Sequence, residues 1–175
     1  MKKGIILAVI IIAVIIAGII IFNVINNGDE QNVTMDTQGE EGYTVEYQGV
    51  NDTPGTEFDE NAISEEYDYF EIQSCAFDGN DKVYTYSGVE IDVAEIDGVD
   101  RVYYVYFQDN EEVELETEEG IKISDTVDDM LEAYGDDYEN PVENSYVYTK
   151  GDVNLTFIVE NDVITSIEYT LIVND

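Results

Sequence analysis

The sequence predicts an α+β protein with an N-terminal transmembrane helix, followed by two tandem small units of antiparallel β-meander, the second preceded by a covering helix. Three observations predict this class. An uncharged apolar run occupies Ile5–Ile25. Downstream, short segments alternate apolar and polar residues, as half-buried strands do. The order of these strands and their turns also occurs twice, with an offset of about 62–65 residues, which indicates an internal repeat.

The apolar run Ile5–Ile25 contains one polar side chain, Asn23. As a helix it would reach about 31 Å, close to the roughly 30 Å hydrocarbon core of a bilayer. The alternative is a cleaved signal peptide, whose apolar core of about 7–15 residues ends at a small-x-small cleavage site. This run is longer, and its small residues Ala13, Ala17 and Gly18 lie in its middle. We therefore expect an uncleaved signal-anchor.

The residues on either side of the run predict its orientation. Lys2 and Lys3 lie in the tail formed by residues 1–4, and the positive-inside rule places such a tail in the cytoplasm. Residues 26–55 are rich in Gly, Asn, Asp, Glu and Thr, which is typical of a flexible acidic tether. We expect a single-pass protein of the cell membrane, with its N-terminus in the cytoplasm and its C-terminal domain outside.

The charge of the chain limits its partners. All 41 Asp and Glu residues follow the apolar run and are opposed there by four Lys and Arg, so the outer part has a net charge of −37. Nucleic acid is not expected as a partner, because phosphate binding needs Lys and Arg. Such charge either keeps a domain soluble at a crowded surface or attracts cations or a basic partner. Cys75 is the only cysteine, and we expect it to be buried in a strand.

The second unit, residues 118–175, contains the clearest local pattern. The sequence predicts a helix from about Asp125 to Tyr134, capped by Ser124, Asp125 or Thr126 and ended by Gly135. Its apolar stripe at helical spacing consists of Val127, Met130, Leu131 and Tyr134. Three alternating segments follow and predict a meander beneath that stripe; they are residues 145–149, 153–159 and 165–173.

The first unit, residues 56–117, repeats the strand pattern of the second. The stretch Val83–Gly88 (VYTYSG) resembles Tyr146–Gly151 (YVYTKG), and a second hairpin follows each of them. The helical signal of this unit is poor, and Asn61–Tyr67 is its only candidate helix. The two units are therefore expected to be related, although only the second has a clear covering helix.

The run Ser74–Gly79 (SCAFDG), followed by Asp81–Tyr86 (DKVYTY), resembles a family of uncharacterised membrane-anchored or lipid-attached surface proteins from anaerobic Gram-positive bacteria. Gly120–Thr126 and Ala133–Gly135 also fit that family. The resemblance covers about residues 55–173 and implies an anchored surface protein without a known activity. More distantly, the helix-plus-meander layout is similar to small outer-membrane lipoproteins of barrel assembly and to tandem-repeat β-lactamase inhibitor proteins, which implies a fold shape alone.

Residues for catalysis are scarce. The chain has no histidine, which excludes Ser–His and Cys–His pairs and histidine-based zinc sites. The acidic stretches Asp78–Asp81 and Glu160–Asp162 lack the ligand spacing of a calcium loop, so we interpret them as turns. We expect no cofactor, no metal and no enzymatic activity. A carboxylate-dependent extracytoplasmic hydrolase is an alternative, because paired carboxylates can cleave glycosides.

Tyrosine is frequent, with 14 residues in the chain. Strand propensity and core filling explain many of them. However, the adjacent Tyr103 and Tyr104 must point to opposite faces of a strand, so some tyrosines lie away from the helix. An exposed tyrosine face would suit contact with a protein or a cell-envelope glycan. The candidate partner-binding residues are Tyr84, Tyr86, Tyr146 and Tyr148.

These observations predict a membrane-anchored protein that displays a small acidic interaction module outside the cell. Residues 5–25 contact the membrane, and the outer domain binds a protein or glycan. A structural or charge-bearing cell-surface protein is the alternative. The sequence indicates no oligomeric state.

Overall fold

A computed structural model describes residues 42–47, 50–109 and 115–173. The predicted cytoplasmic tail at residues 1–4 and the predicted transmembrane helix at residues 5–25 lie outside these ranges, as does most of the predicted tether. Within the described ranges, no helix has the length and apolar character needed to cross a bilayer.

Nine strands, one α-helix and one 3₁₀ turn are formed by the described residues. Two short strands, β1 (Glu46–Tyr47) and β2 (Val50–Asn51), pair antiparallel. The first half then contributes β3 (Asp68–Gln73), β4 (Asn80–Tyr86), β5 (Val89–Ile96) and β6 (Val99–Phe107). The second half contributes α1 (Val127–Tyr134), β7 (Ser145–Lys150), β8 (Val153–Glu160) and β9 (Val163–Leu171).

The strands β3 to β9 form one antiparallel sheet in the order β3-β4-β5-β6-β9-β8-β7. The predicted fold class, with two tandem small α+β units, is therefore wrong for the described residues, which are mostly one seven-stranded sheet with one short helix. The predicted transmembrane helix of that class lies outside them. The halves join because β6 pairs with β9, with Tyr104–Phe107 opposite Ile167–Thr170. This pairing satisfies backbone groups that would otherwise form two unprotected sheet edges.

The two meanders nevertheless follow the same plan. Their first turns are at Ser87–Gly88 and Gly151–Asp152, and their second turns are at Asp97–Gly98 and Asn161–Asp162, a separation of 64 residues in both cases. In three of these turns both residues have positive φ. That is the type I′ geometry, whose twist matches the twist of the flanking strands.

The helix α1 begins and ends on the local signals in the sequence. Thr126 is the N-cap; its side chain accepts a hydrogen bond from the backbone N–H of Asp129, whose carboxylate accepts one from the N–H of Thr126. Gly135 ends the helix with φ +79°, and its N–H donates to the carbonyl of Leu131. Met130 is the fully buried member of the apolar stripe, whereas Val127, Leu131 and Tyr134 are partly buried against the core.

In the first half, the helix considered for Asn61–Tyr67 is absent. A 3₁₀ turn at Glu60–Ala62 lies there, and the side chain of its N-cap, Asp59, accepts a hydrogen bond from the N–H of Asn61. An irregular segment covers the sheet instead, and Phe58 and Ile63 pack from it against the core. Its backbone is tied to β6, because the N–H of Phe58 donates to the carbonyl of Asp100.

The core lies against one face of the sheet, here called the core face. Alternate side chains of the central strands are buried there, namely Val89, Ile91 and Val93 on β5 and Val153, Leu155 and Phe157 on β8. Each contributes about 1.5–3 kcal/mol relative to an exposed side chain. The opposite face carries Glu90 and Glu168 and is here called the polar face.

Candidate functional site

The four tyrosines predicted to contact a partner do not form an exposed face. Tyr84, Tyr86 and Tyr148 are buried in the core, and Tyr146 is half-buried against it. The hydroxyl of Tyr86 donates to Asp52 Oδ2 at 2.6 Å, inside the protein. Because a contact surface needs exposed side chains, Tyr84, Tyr86 and Tyr148 offer a partner no such surface in this fold.

The exposed large apolar side chains are concentrated on β3 and just before it. Tyr67, Tyr69, Phe70 and Ile72 are 36%, 46%, 49% and 50% exposed. These four residues are here called the β3 surface. Val142, which is 39% exposed, is the one other large apolar side chain with comparable exposure in the described ranges. A cluster of this kind marks a contact surface more often than scattered apolar residues do.

The β3 surface extends over both faces of an edge strand. β3 pairs with β4 alone, and all six of its side chains are exposed. Tyr69 lies opposite Tyr84 and therefore on the core face, whereas Phe70 lies opposite Val83 on the polar face. Ile72 shares the side of Phe70, because successive side chains of a strand alternate between faces. A partner strand beside β3 would therefore meet apolar side chains on both of its faces.

Tyr84 supports the exposed rings on the core face. The ring centroids of Phe58, Tyr67 and Tyr69 lie 4.6, 5.5 and 5.0 Å from that of Tyr84. The hydroxyl of Tyr69 donates to Glu71 Oε1 at 2.6 Å, and this bond raises the pKa of Tyr69 to about 12. Such ring pairs contribute about 0.5–1.5 kcal/mol beyond the burial of their area. The exposed tyrosines are therefore held in place before any partner arrives.

The two edges of the sheet are protected differently. At the β7 edge, Glu139 and Val147 exchange two backbone hydrogen bonds of 2.8 and 2.9 Å, and the Asn140 side chain donates to the carbonyl of Ser145. At the outer side of β3, no backbone hydrogen bond reaches another segment of the described chain. β3 also lacks the Lys, Pro or bulge that commonly blocks pairing at an edge.

Acidic residues surround the β3 surface. Along the chain from residue 65 to residue 78 every charged side chain is an exposed carboxylate; these are Glu65, Glu66, Asp68, Glu71 and Asp78. Lys82 lies opposite Glu71 on β4, but its ammonium group pairs with Asp100 at 2.5 Å. The edge is therefore both apolar and anionic.

The polar face holds a second unusual feature, a set of buried acidic side chains. Asp81, Glu90 and Glu168 are 5%, 3% and 2% exposed. Tyr106 lies between two of them, opposite Glu90 on one side and Glu168 on the other. Together with Asp92 on β5, these three acids are here called the carboxyl cluster. None of its four members forms an ion pair with another described residue.

Burial raises the pKa of every carboxyl group in the cluster. It raises the pKa of Glu168 to about 7, although Ser166 Oγ donates to Glu168 Oε1 at 2.9 Å and opposes the shift. It raises the pKa of Asp92 well above the usual value, and the neighbouring charges of Glu90 and Asp81 add to that effect. The carboxyl groups of the cluster therefore bind protons more readily than exposed carboxyl groups do.

Some oxygen atoms on the polar face have no hydrogen-bond partner among the described residues. They are the hydroxyl of Tyr104 and the Oδ1 atoms of Asp81 and Asp92. An unsatisfied buried group of this kind costs about 1–3 kcal/mol. The described ranges contain no group of three or more His, Cys, Asp or Glu side chains placed to hold a metal ion.

Cys75 is exposed, so the expectation of a buried thiol in a strand is wrong. It lies in the loop between β3 and β4, where Ser74 Oγ accepts hydrogen bonds from the N–H groups of Ala76 and Phe77. This loop is anchored by Phe77, whose ring centroid is 5.1 Å from that of Tyr103.

The β3 surface is not among the candidate residues predicted above, although the sequence contains a signal for it. Phe70 and Ile72 alternate with Glu71 and Gln73, which is the two-residue period of a strand. The alternation is short, and the aromatic Tyr69 directly precedes Phe70. Because neighbouring side chains of a strand point to opposite faces, apolar residues lie on both faces of β3.

No family model, curated protein or solved structure matches the chain. The resemblance to anchored surface proteins of anaerobic Gram-positive bacteria therefore stays an expectation. The function is argued below from the residues of the sheet and its edges.

Proposed function

We propose that the chain is a single-pass membrane-anchored protein that displays an acidic binding module outside the cell, and that this module binds a protein partner through the β3 surface. The observation that carries the proposal is the open edge of β3, with its exposed apolar side chains on both faces. The membrane half of the proposal rests on the apolar run at residues 5–25 and on the lysines before it.

An open strand edge favours a protein partner for a physical reason. Its unpaired N–H and C=O groups form hydrogen bonds with another strand, and its side chains select what that strand carries. The same molecule covers its β7 edge with Glu139. The rings of Tyr67 and Tyr69 rest on Tyr84, so little ordering of this surface is needed on binding.

The test is retention of envelope proteins by the full chain, purified in detergent from its native membranes. The variant carries Phe70→Ser with Ile72→Ser, and the control is Val142→Ser, which removes an exposed apolar side chain elsewhere. We expect wild type and control to retain the same protein and the β3 variant to lose it. Melting temperatures should agree closely, because surface changes usually alter stability by less than about 0.5 kcal/mol. Equal retention by all three chains would contradict the proposal.

The anchor has its own test. Replacing Ile12 and Ile16 by Lys should move the protein out of the membrane fraction, because each central Lys costs about 2.5–3.5 kcal/mol on the insertion scale. Mass spectrometry of the wild-type membrane protein should find the N-terminal segment still attached. A mature chain that begins near Asn26 would show a cleaved signal instead.

The alternative function, a charge-bearing surface protein without a specific partner, is supported by the net charge of −35. It predicts that the β3 variant behaves as wild type in the retention experiment. The two proposals are therefore separated by the same measurement.

A further inference from the structure

We infer that the partner of the β3 surface is an extended protein segment in which lysine or arginine alternates with apolar residues, and that it adds to the outer edge of β3 as an eighth strand. This inference rests on the proposed function and specifies its partner. It is carried by the free backbone edge, by the different side chains on the two faces of β3 and by the charges around it.

The backbone of β3 supplies the first step. β3 is six residues long, and its inner side is fully paired in register with β4, from Asp68 opposite Thr85 to Gln73 opposite Asn80. Alternate residues of a strand direct their N–H and C=O groups to opposite sides. About half of the β3 backbone groups therefore point outward, where no described segment meets them.

The side chains of β3 specify what the arriving strand carries. On the polar face, the arriving strand would lie beside Phe70 and Ile72, which are about half exposed. An apolar side chain of the arriving strand would therefore bury area on both partners. On the core face its neighbours are Tyr69 and Glu71. A lysine or arginine there meets a carboxylate and the face of an aromatic ring, and both attract a cation.

The carboxylate of Glu71 is already held in position for that contact. Its two carboxylate oxygens accept hydrogen bonds from Tyr69 at 2.6 Å and from Asn80 at 3.2 Å. These bonds lower the pKa of Glu71, so the group stays ionised at neutral pH. The hydrogen bonds also fix the position of the charge at the edge of the sheet.

Charge distinguishes this partner from a second copy of the chain. Pairing two β3 strands edge to edge would bring Asp68 and Glu71 of both copies together, along with the neighbouring acids Glu65 and Glu66. Like charges opposite each other destabilise a strand pair, and no free cation lies on this part of the chain to offset them. A basic strand instead gains attraction over the roughly 8 Å range that physiological salt allows.

The experiment measures binding of synthetic peptides to the full chain in detergent micelles, at low and high salt. The probe is an acetylated, amidated peptide of about seven alternating lysine and valine residues, long enough to span β3. A glutamate–valine peptide of the same pattern controls for charge. Two further lysine–valine peptides carry N-methyl groups on one or the other set of alternate backbone nitrogens, which removes the donors from one peptide edge while keeping the charge.

We expect the lysine–valine peptide to bind and to protect β3 amides from hydrogen exchange. Its affinity should fall at least tenfold as the salt concentration is raised. At least one N-methylated peptide should bind tenfold more weakly, and the glutamate–valine peptide should not bind. Phe70→Ser with Ile72→Ser should weaken binding, whereas Val142→Ser should not.

Three outcomes would overturn the inference. In the first, the lysine–valine peptide does not bind, yet retention of an envelope protein still depends on Phe70 and Ile72. The proposed function would then stand without this partner. The second is binding of both N-methylated peptides as tightly as the unmethylated lysine–valine peptide, which would show attraction without strand addition. The third is a dimer of the chain, seen by sedimentation, that the β3 variant loses; this would make a second copy the occupant.

Discussion

Glu168 has its carboxyl group inside the protein on the polar face, without a cation beside it. The polar groups around it include Ser166, Tyr104, Tyr106 and Glu90, and burial raises its pKa from 4.5 to about 7. A carboxyl group with a raised pKa binds a proton in the folded state that the unfolded state releases. Its contribution to stability is therefore complete below about pH 4.5 and is lost as the pH rises through 7.

We predict that Glu168→Gln makes the protein less sensitive to alkaline pH. For Glu168 alone, the free energy of unfolding should fall by about 3 kcal/mol between pH 4.5 and pH 8, and the variant should lack that part of the fall. Urea unfolding of both chains at pH 5 and pH 8 gives the two differences. General repulsion in a chain of charge −35 acts on both proteins alike, so the comparison isolates Glu168. Identical pH dependence in the two chains would mean that the group titrates normally.

Tyr86 makes a buried hydrogen bond whose loss should be measurable. Its hydroxyl donates to Asp52 Oδ2, while Oδ1 of the same carboxyl group has no partner. Burial raises the pKa of Asp52 to about 6, and the bond from Tyr86 opposes that shift.

Tyr86→Phe should lower the free energy of unfolding by about 1–3 kcal/mol, because it leaves the Asp52 carboxyl without that donor. Tyr146→Phe is the control; its ring is half-buried, and it should change stability by less than about 0.5 kcal/mol. Chemical denaturation of the three chains at one pH provides the comparison. Equal effects of the two changes would show that the buried bond adds nothing.

At the scale of the element, α1 is the part of the fold that the sequence predicts best. Its stripe, its cap at Thr126 and its end at Gly135 are all contained within ten consecutive residues. The strand β3 and the cover of the first half are harder to predict. The segment that carries Phe58 and Ile63 has no period, so nothing local shows that it buries Tyr84 and Tyr86.

Within α1, the largest loss of packing is expected at Met130. Met130 is fully buried, whereas Leu131 is only partly buried. Met130→Ala should therefore destabilise the protein by about 2–5 kcal/mol, and Leu131→Ala by clearly less. Asp128→Ala, on the exposed side, should have the smallest effect. Melting curves of the three variants test this order, and a larger loss at Leu131 would contradict the orientation of the helix.

At the scale of the whole molecule, the pairing of β6 with β9 decides the architecture. It connects residues 60 to 66 positions apart, and both strands would show the same alternation if each stood at the edge of its own small sheet. Local patterns therefore predict the two meanders but not their union. Period alone also does not reveal which face of a strand is covered, so it does not show that Tyr84, Tyr86 and Tyr148 are buried.

A shared sheet should unfold as one unit. We predict that Met130→Ala, a change in the second half, weakens hydrogen-exchange protection in β5 as much as in β8, because opening either half exposes the β6–β9 pairing. Hydrogen exchange resolved by mass spectrometry measures both strands in one sample. Loss of protection in β8 with β5 unchanged would indicate two independently folding units.

The bridge between Glu139 and Val147 has a consequence for assembly. A sheet with two open ends can stack copy upon copy, each adding its first strand to the last strand of its neighbour, and such head-to-tail growth has no natural stop. With the β7 end already occupied, this molecule can accept a strand at one end only. It therefore ends a chain of strands rather than extending one, so it should not polymerise into fibres even at high concentration.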